Sequence, residues 1–177
     1  MSESAAVRWI RELALAPHPE GGWYRETYRA GEGFPGPAHQ GFPAGRSLST
    51  AIYFLLQQGH FSAFHRIRSD ELWHHYDGDG VDVHIIGPGG ELRLLRLGRG
   101  AGRRPQAVVP AGCWFASEVS EGGAYALLGC TVAPGFHFAD FELADGIELA
   151  AAHAQHAALV RRLTRPGDTG SKQGEES

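Results

Sequence analysis

Cysteine is scarce: Cys113 and Cys130 are the only two in 177 residues. No C-x-x-C pair exists, which excludes a zinc knuckle or a thioredoxin-type dithiol. Both thiols are expected as reduced core residues of a cytoplasmic protein, a single disulfide between them being the alternative. Lysine is nearly absent, Lys172 standing alone, and the formal net charge is -4. A general attraction for nucleic acid needs a basic face, so no nucleic-acid partner is expected. The cluster Arg96, Arg99, Arg103 and Arg104 is expected as a solvated loop. No apolar run approaches the ~20 residues of a membrane span, and no membrane partner is expected. Met1 to Ala6 lacks the basic and apolar regions of a secretory signal.

What is plentiful is punctuation: 25 glycines and 10 prolines in a chain that is 42% hydrophobic. That is one domain's worth of sequence, enough to bury a core without a disulfide or metal staple. Val7, Ile10, Leu13 and Leu15, with charged residues between them, predict a helix over Ala5 to Ala16 that Pro17 and Pro19 end. Trp23 to Tyr28 alternates and predicts a strand. Trp23, Arg25 and Thr27 would share one face, Tyr24, Glu26 and Tyr28 the other. Gly31 to Gly45 reads as a loop. From Ser47 onward short β-type runs follow one another: Ser49–Leu56, Ser62–Ile67, Leu72–Tyr76, Val81–Ile86, Leu92–Leu97, Ala107–Val109, Trp114–Ala116 and Tyr125–Val132. Strands this short and frequent predict an all-β antiparallel sandwich or barrel. A helical stripe returns from Glu148 to Leu163. The expected organisation is a flexible N-terminus at 1–6, a single domain at 7–164 and a disordered tail at 165–177.

Reactive side chains are densest from His60 to His84. A hairpin between Ile67 and Glu71 would bring His65 and Glu71 together. Such a pair suits proton transfer, because a carboxylate raises imidazole basicity and fixes its tautomer. It equally begins a metal site, and surface histidines on sheet edges are the plain alternative.

Spacing is informative here. Gly59, His65, Glu71 and Gly78 fall on the pattern G-x5-H-x-H-x3-E-x6-G, with Ile67 in place of the second His. Pro110-Ala111-Gly112 fits a later P-x-G, and Phe115 stands where a further His would follow. These two motifs resemble those of the cupin superfamily. The stretches Pro17–Tyr28, Ser49–Leu56, Phe64–Gly78, Val108–Phe115 and Tyr125–Glu142 are similar to one branch of it, Cupin_5 (DUF985). The resemblance implies a jelly-roll β-sandwich, here with an N-terminal and a C-terminal helix. It also implies a homodimer and a distant relation in fold to the dTDP-keto-sugar epimerases.

A cupin metal site has three His and one Glu. Only His65 and Glu71 occupy such positions, with His75 as a further donor on the Glu71 face, so no metal or other cofactor is expected. If a metal bound, His65 and Glu71 would be its ligands. The alternative is an apolar cavity for a small-molecule ligand. Its function would be a metal-independent epimerase or isomerase acting on a sugar-like or carboxylated metabolite. His65 would be the general base, Glu71 its partner, and Tyr76 or Tyr24 the returning acid. Expected ligand-binding residues are Glu20, Tyr24, Arg25, Tyr53, Trp73, His75, Gln106 and Phe115. A non-catalytic binding or sensing cupin and a metal-dependent cupin enzyme, a dioxygenase or isomerase, remain open beside it.

Overall fold

The computed structural model describes residues 3–34 and 41–165. Alternating apolar residues form strands that stack into two antiparallel sheets. The strands are β1 (Ala16–Pro17), β2 (Trp23–Arg29), β3 (Thr50–Gln57), β4 (Phe61–Arg66), β5 (Asp70–Gly78), β6 (Val81–Ile86), β7 (Leu92–Leu97), β8 (Gln106–Val109), β9 (Trp114–Val119), β10 (Tyr125–Ala133) and β11 (Glu142–Leu143). The first sheet has the order β1-β2-β3-β10-β5-β8 and the second β11-β4-β9-β6-β7. Crossing between sheets at successive connections makes the expected jelly-roll sandwich.

Inner-face residues of both sheets close the core, Phe54, Trp73, Val83, Ile85, Phe115 and Leu128 among them. The period of two along β6 shows why: Val81, Val83 and Ile85 are fully buried while Asp82 and His84 between them are not. On the outer face of the first sheet, Gly129 of β10 leaves room for the Tyr76 ring. A Cβ there would come within 2.3 Å of the phenol oxygen.

Helix α1 (Ala5–Glu12) is capped by Ser4, whose hydroxyl accepts from Val7 N. It packs on that outer face, where Ala6 and Leu15 meet Leu55 and Leu127. Two corrections follow. Ala5 and Ala6 belong to the helix, not to a flexible end. The helix stops at Glu12, short of Ala16, because Ala14 takes a positive φ of 50° and Ala16–Pro17 pairs with β2. The C-terminal stripe is likewise not one helix. It is α2 (Gly146–Ala152), a 3₁₀ turn at Ala154–His156, and α3 (Ala157–Arg162). These cover the second sheet's outer face, burying Leu149, Val160 and Leu163 against Phe64, Ile86 and Ala116.

The tail expected from 165 lies outside the described residues except for Arg165. That residue is anchored, donating to Glu20 O at 2.6 Å and Phe61 O at 2.9 Å. Cys113 and Cys130 are free and buried. None of the described helices is long and apolar enough to cross a membrane.

Candidate functional site

A cavity of about 1380 Å³ opens between the sheets at the β1–β2 end. Its polar floor carries His18, Glu20, His65 and Glu71, and Phe136, Phe138 and Phe141 form much of its aromatic wall. Two irregularities in the strands aim side chains into it. In β4, Ser62 pairs Ser117 but His65 pairs Phe115, so three steps on β4 oppose two on β9. This bulge turns Ser62 and His65 to the same, inner face, where strict alternation would separate them. In β2 the register slips between Glu26 and Tyr28. The slip turns Tyr28 outward, 55% exposed, and brings Arg29 to the cavity.

Ser62 and His65 grip one carboxyl group. Glu20 stands in the turn after β1, its backbone carbonyl held by Ala63 N at 2.8 Å and by Arg165. Ser62 Oγ donates to Glu20 Oε1 at 2.9 Å, and His65 Nε2 lies 3.0 Å from Glu20 Oε2. His65 Nδ1 lies 2.7 Å from Ala63 O. A carbonyl only accepts, so Nδ1 carries a proton and Nε2 of the neutral ring presents its lone pair to Glu20. One proton therefore bridges Glu20 and His65. Burial holds the Glu20 carboxyl well above its usual range, with the neighbouring Glu71 charge adding to the rise. Burial also pushes His65 down to about 4. Both directions place the bridging proton on Glu20.

His18 completes the floor. Its Nδ1 accepts from Glu20 N at 3.3 Å and lies 3.5 Å from Glu20 Oε2. Burial and the nearby His65 push it down to about 3, so it is neutral. Its ring meets Tyr24 edge-on at 4.4 Å. Glu71 is pushed up to about 7 by burial, against contacts with the Cys130 thiol and the Trp73 indole. The Cys130 thiol is itself held well above its usual range, by burial and by the Glu71 charge.

Of the residues expected at the site, Glu20, Tyr24, His65 and Glu71 line the cavity. The others do not. Tyr76 is 44% exposed on the outer face of the first sheet, with Tyr53 edge-on to it at 6.1 Å. Arg25 donates to Leu13 O, and Gln106 pairs with His74 at 3.1 Å on the same outer face. His75 is buried against Asp79 O at 2.8 Å. Trp73 and Phe115 are core residues behind the floor, the Phe115 ring 4.0 Å from that of His65. The expected hairpin is absent too: β4 and β5 lie in opposite sheets, and His65 is bonded to Glu20 rather than Glu71. His18, Glu26, Arg29 and the aromatic wall were not anticipated.

The residues at the cupin ligand positions do not fit a metal. Both ring nitrogens of His65 are engaged by protein atoms, and Ile67 and Phe115 offer hydrocarbon. Among the described residues, no group of three or more His, Cys, Asp or Glu stands where it could hold a metal ion.

The model of the Cupin superfamily (DUF985) family, Cupin_5, matches residues 7–144. Protein SO0799 from Shewanella oneidensis is similar at 42% identity and a TM-score of 0.82, over 93% of this chain and 99% of that one. A hypothetical protein from Leishmania major is similar at 32% identity and a TM-score of 0.84, over 92% and 100%. A mutant of Bacillus subtilis oxalate decarboxylase shares the fold alone, at 16% identity and a TM-score of 0.52, over 85% of this chain and 37% of that one. No curated protein matches the chain. With its two-sheet jelly roll and a family match over most of its length, the chain belongs to the Cupin_5 (DUF985) family of cupins.

Proposed function

We propose that this cupin binds a sugar-sized organic molecule between its sheets and moves a proton on it, as a metal-independent epimerase or isomerase. The observation that carries the proposal is the 3.0 Å Glu20–His65 contact in a ring whose other nitrogen already bonds Ala63 O. His65 has no nitrogen left for a ligand, so the group that meets the ligand is Glu20. His65 is the positioning residue: it holds the carboxyl and takes or returns its proton. Glu71, on the same floor and pushed up to about 7, is the second proton carrier. Burial raises both carboxyls, so each can hold a proton at a pH where an exposed carboxylate has lost it, as acid–base work requires. Tyr24, which lines the cavity, replaces Tyr76 as the aromatic hydroxyl in reach.

Proton NMR in deuterated water tests the assignment on a panel of ketoses, aldoses and keto acids. Exchange at a carbon-bound position is expected for the wild type. It should fall about 10²- to 10⁴-fold in Glu20→Gln, the loss typical of a general acid–base group. Undiminished exchange in Glu20→Gln overturns the role of Glu20. Saturable binding by some panel member without exchange converts the protein into a binding or sensing cupin.

We further infer a cytoplasmic homodimer. The two free thiols are in keeping with a reducing compartment. Beyond α1, the outer face of the first sheet keeps Tyr28, Tyr76 and Val108 exposed, apolar surface of the kind a second copy covers.

A further inference from the structure

The cavity is lopsided in charge. Among the described residues, three carboxyl groups line it, Glu20, Glu26 and Glu71, against one cationic side chain, Arg29. Arg29 is already committed: it donates twice to Glu26, at 2.9 and 2.7 Å, and once to Phe136 O at 3.2 Å. It ties the mouth to the aromatic wall, and the floor has no cation among the described residues. His18 and His65 do not supply one, since both are held neutral by burial. The other nearby guanidinium groups are also taken. Arg165 bonds backbone carbonyls behind Glu20, and Arg46 is paired with Asp140. Among the described residues, a carboxylated or phosphorylated ligand would meet two carboxyl groups on the floor and no uncommitted cation.

We propose that the ligand of this cavity carries a protonated amine, seated between the Glu20 and Glu71 carboxyls with its carbon frame against Tyr24, Phe54 and the Phe136–Phe138–Phe141 wall. This rests on the organic-ligand reading above and narrows its class from sugar-like or carboxylated to amino-bearing. The physical basis is twofold. Aromatic faces attract cations, most strongly where water is excluded. An ammonium group also supplies the positive charge that two buried carboxyls lack, and so stabilises one of them in its ionised form. Glu71 is the acid that would ionise, since it lies near neutrality without any ligand. Glu20 and His18 on the first turn, His65 on β4, Cys130 on β10, Tyr24, Glu26 and Arg29 on β2, and His137 are the other titratable or charged groups that line the same space.

Three probes on one carbon ring separate charge from shape: cyclohexylammonium, cyclohexanol and cyclohexanecarboxylate. Each would be titrated into the whole protein and followed by calorimetry and by NMR shifts of cavity residues. The ammonium is expected to bind about tenfold or more tightly than the alcohol, and the carboxylate most weakly, in line with a desolvated cation–aromatic and carboxylate contact. Ammonium binding at about pH 6 should release protons from Glu71, shown by heats that change with the buffer's ionisation enthalpy, and should release fewer at about pH 8. In Glu71→Gln the ammonium should lose its advantage over the alcohol, with the circular dichroism spectrum unchanged. Glu20→Gln serves as a second variant should Glu71→Gln fail to fold. Carboxylate binding as tight as that of the ammonium, or equal affinity for all three, overturns the amine assignment and leaves the organic-ligand reading standing. Absence of any cavity shift with all three probes overturns both.

Discussion

At the scale of the residue, the site is governed by burial acting on four ionisable groups. Glu71 is raised from about 4.5 to about 7, so between those values the folded protein holds a proton that the unfolded chain releases. Its contribution to stability is present at low pH and is lost as pH rises through about 7. Glu20 acts in the same direction. The histidines oppose it: His65 at about 4 and His18 at about 3 bind fewer protons folded than unfolded, so their contribution falls away on acidification. Of these four groups only the carboxyls still act above the ordinary histidine range of about 6.5, and the Glu71 contribution is lost as pH passes through about 7. Glu71→Gln should flatten that loss. Urea denaturation should show the variant gaining on the wild type by about 3 kcal/mol in total between about pH 5 and pH 9. A variant that follows the wild-type profile shows that Glu71 is not the titrating group.

Four of the eleven expected site residues reach the cavity, and the reasons differ by residue. His65 and Glu71 were legible from motif spacing. Glu20 was legible only as a polar residue in a glycine turn, because its role depends on Ser62 and His65, more than forty positions away. Tyr76 stands an odd number of positions from Glu71, so alternation along β5 with Glu71 inside already turns it to the outer face, and its expected place at the site conflicts with that parity. Trp73 and Phe115 were assigned correctly to the inner side, but the core absorbed them before they reached the cavity.

At the scale of the element, most strands were legible because turns and alternation mark them. Val81–Ile86 and Leu92–Leu97 form over the expected residues. The bulges were not legible. Each adds a single residue to an otherwise regular strand, and nothing in the composition of Ser62–His65 or of Glu26–Arg29 announces a change of parity. Yet these two irregularities aim Ser62, His65 and Arg29. The aromatic wall depends on a different device, a segment without regular ladder pairing held by charge. Asp140 is paired with Arg46, both side chains under a tenth exposed, and more loosely with Arg68 at 3.5 Å. Asp140→Ala should destabilise the protein by about 3 to 5 kcal/mol, because it strands a buried guanidinium. The exposed pair Arg66–Glu142, at 42% and 45%, is the contrast: Glu142→Ala should cost about 1 kcal/mol or less. Chemical denaturation of both variants checks the difference, and equal losses would mean that Arg46 finds another partner.

At the scale of the whole molecule, the sandwich has one outer face covered by α2 and α3 and the other only partly covered by α1. If a second copy completes the latter, light scattering should give twice the chain mass. Val108→Glu or Tyr76→Glu should then return the monomer, since a charge at the centre of such a contact would be desolvated without a partner. A wild-type monomer at micromolar concentration would remove that surface from consideration. The fold itself was legible at this scale from strand spacing and the family motifs. The covering of its faces was not, since helix-length stripes do not say where they dock.

The clasp made by Arg165 links these scales. Its guanidinium occupies the space beside Gly21, where a Cβ would come within 2.3 Å of Nη2, and holds the carbonyls of Glu20 and Phe61 together. Those two segments come early in the chain, whereas Arg165 comes after the last strand and the last helix. Polypeptides are made from the N-terminus and begin to fold as they emerge. A growing chain will therefore expose the Glu20 turn and β4 long before their tie exists. The floor of the cavity is finished only after the last described helix has been made, so a chain stalled before Arg165 carries the reactive side chains without the clasp that sets their spacing.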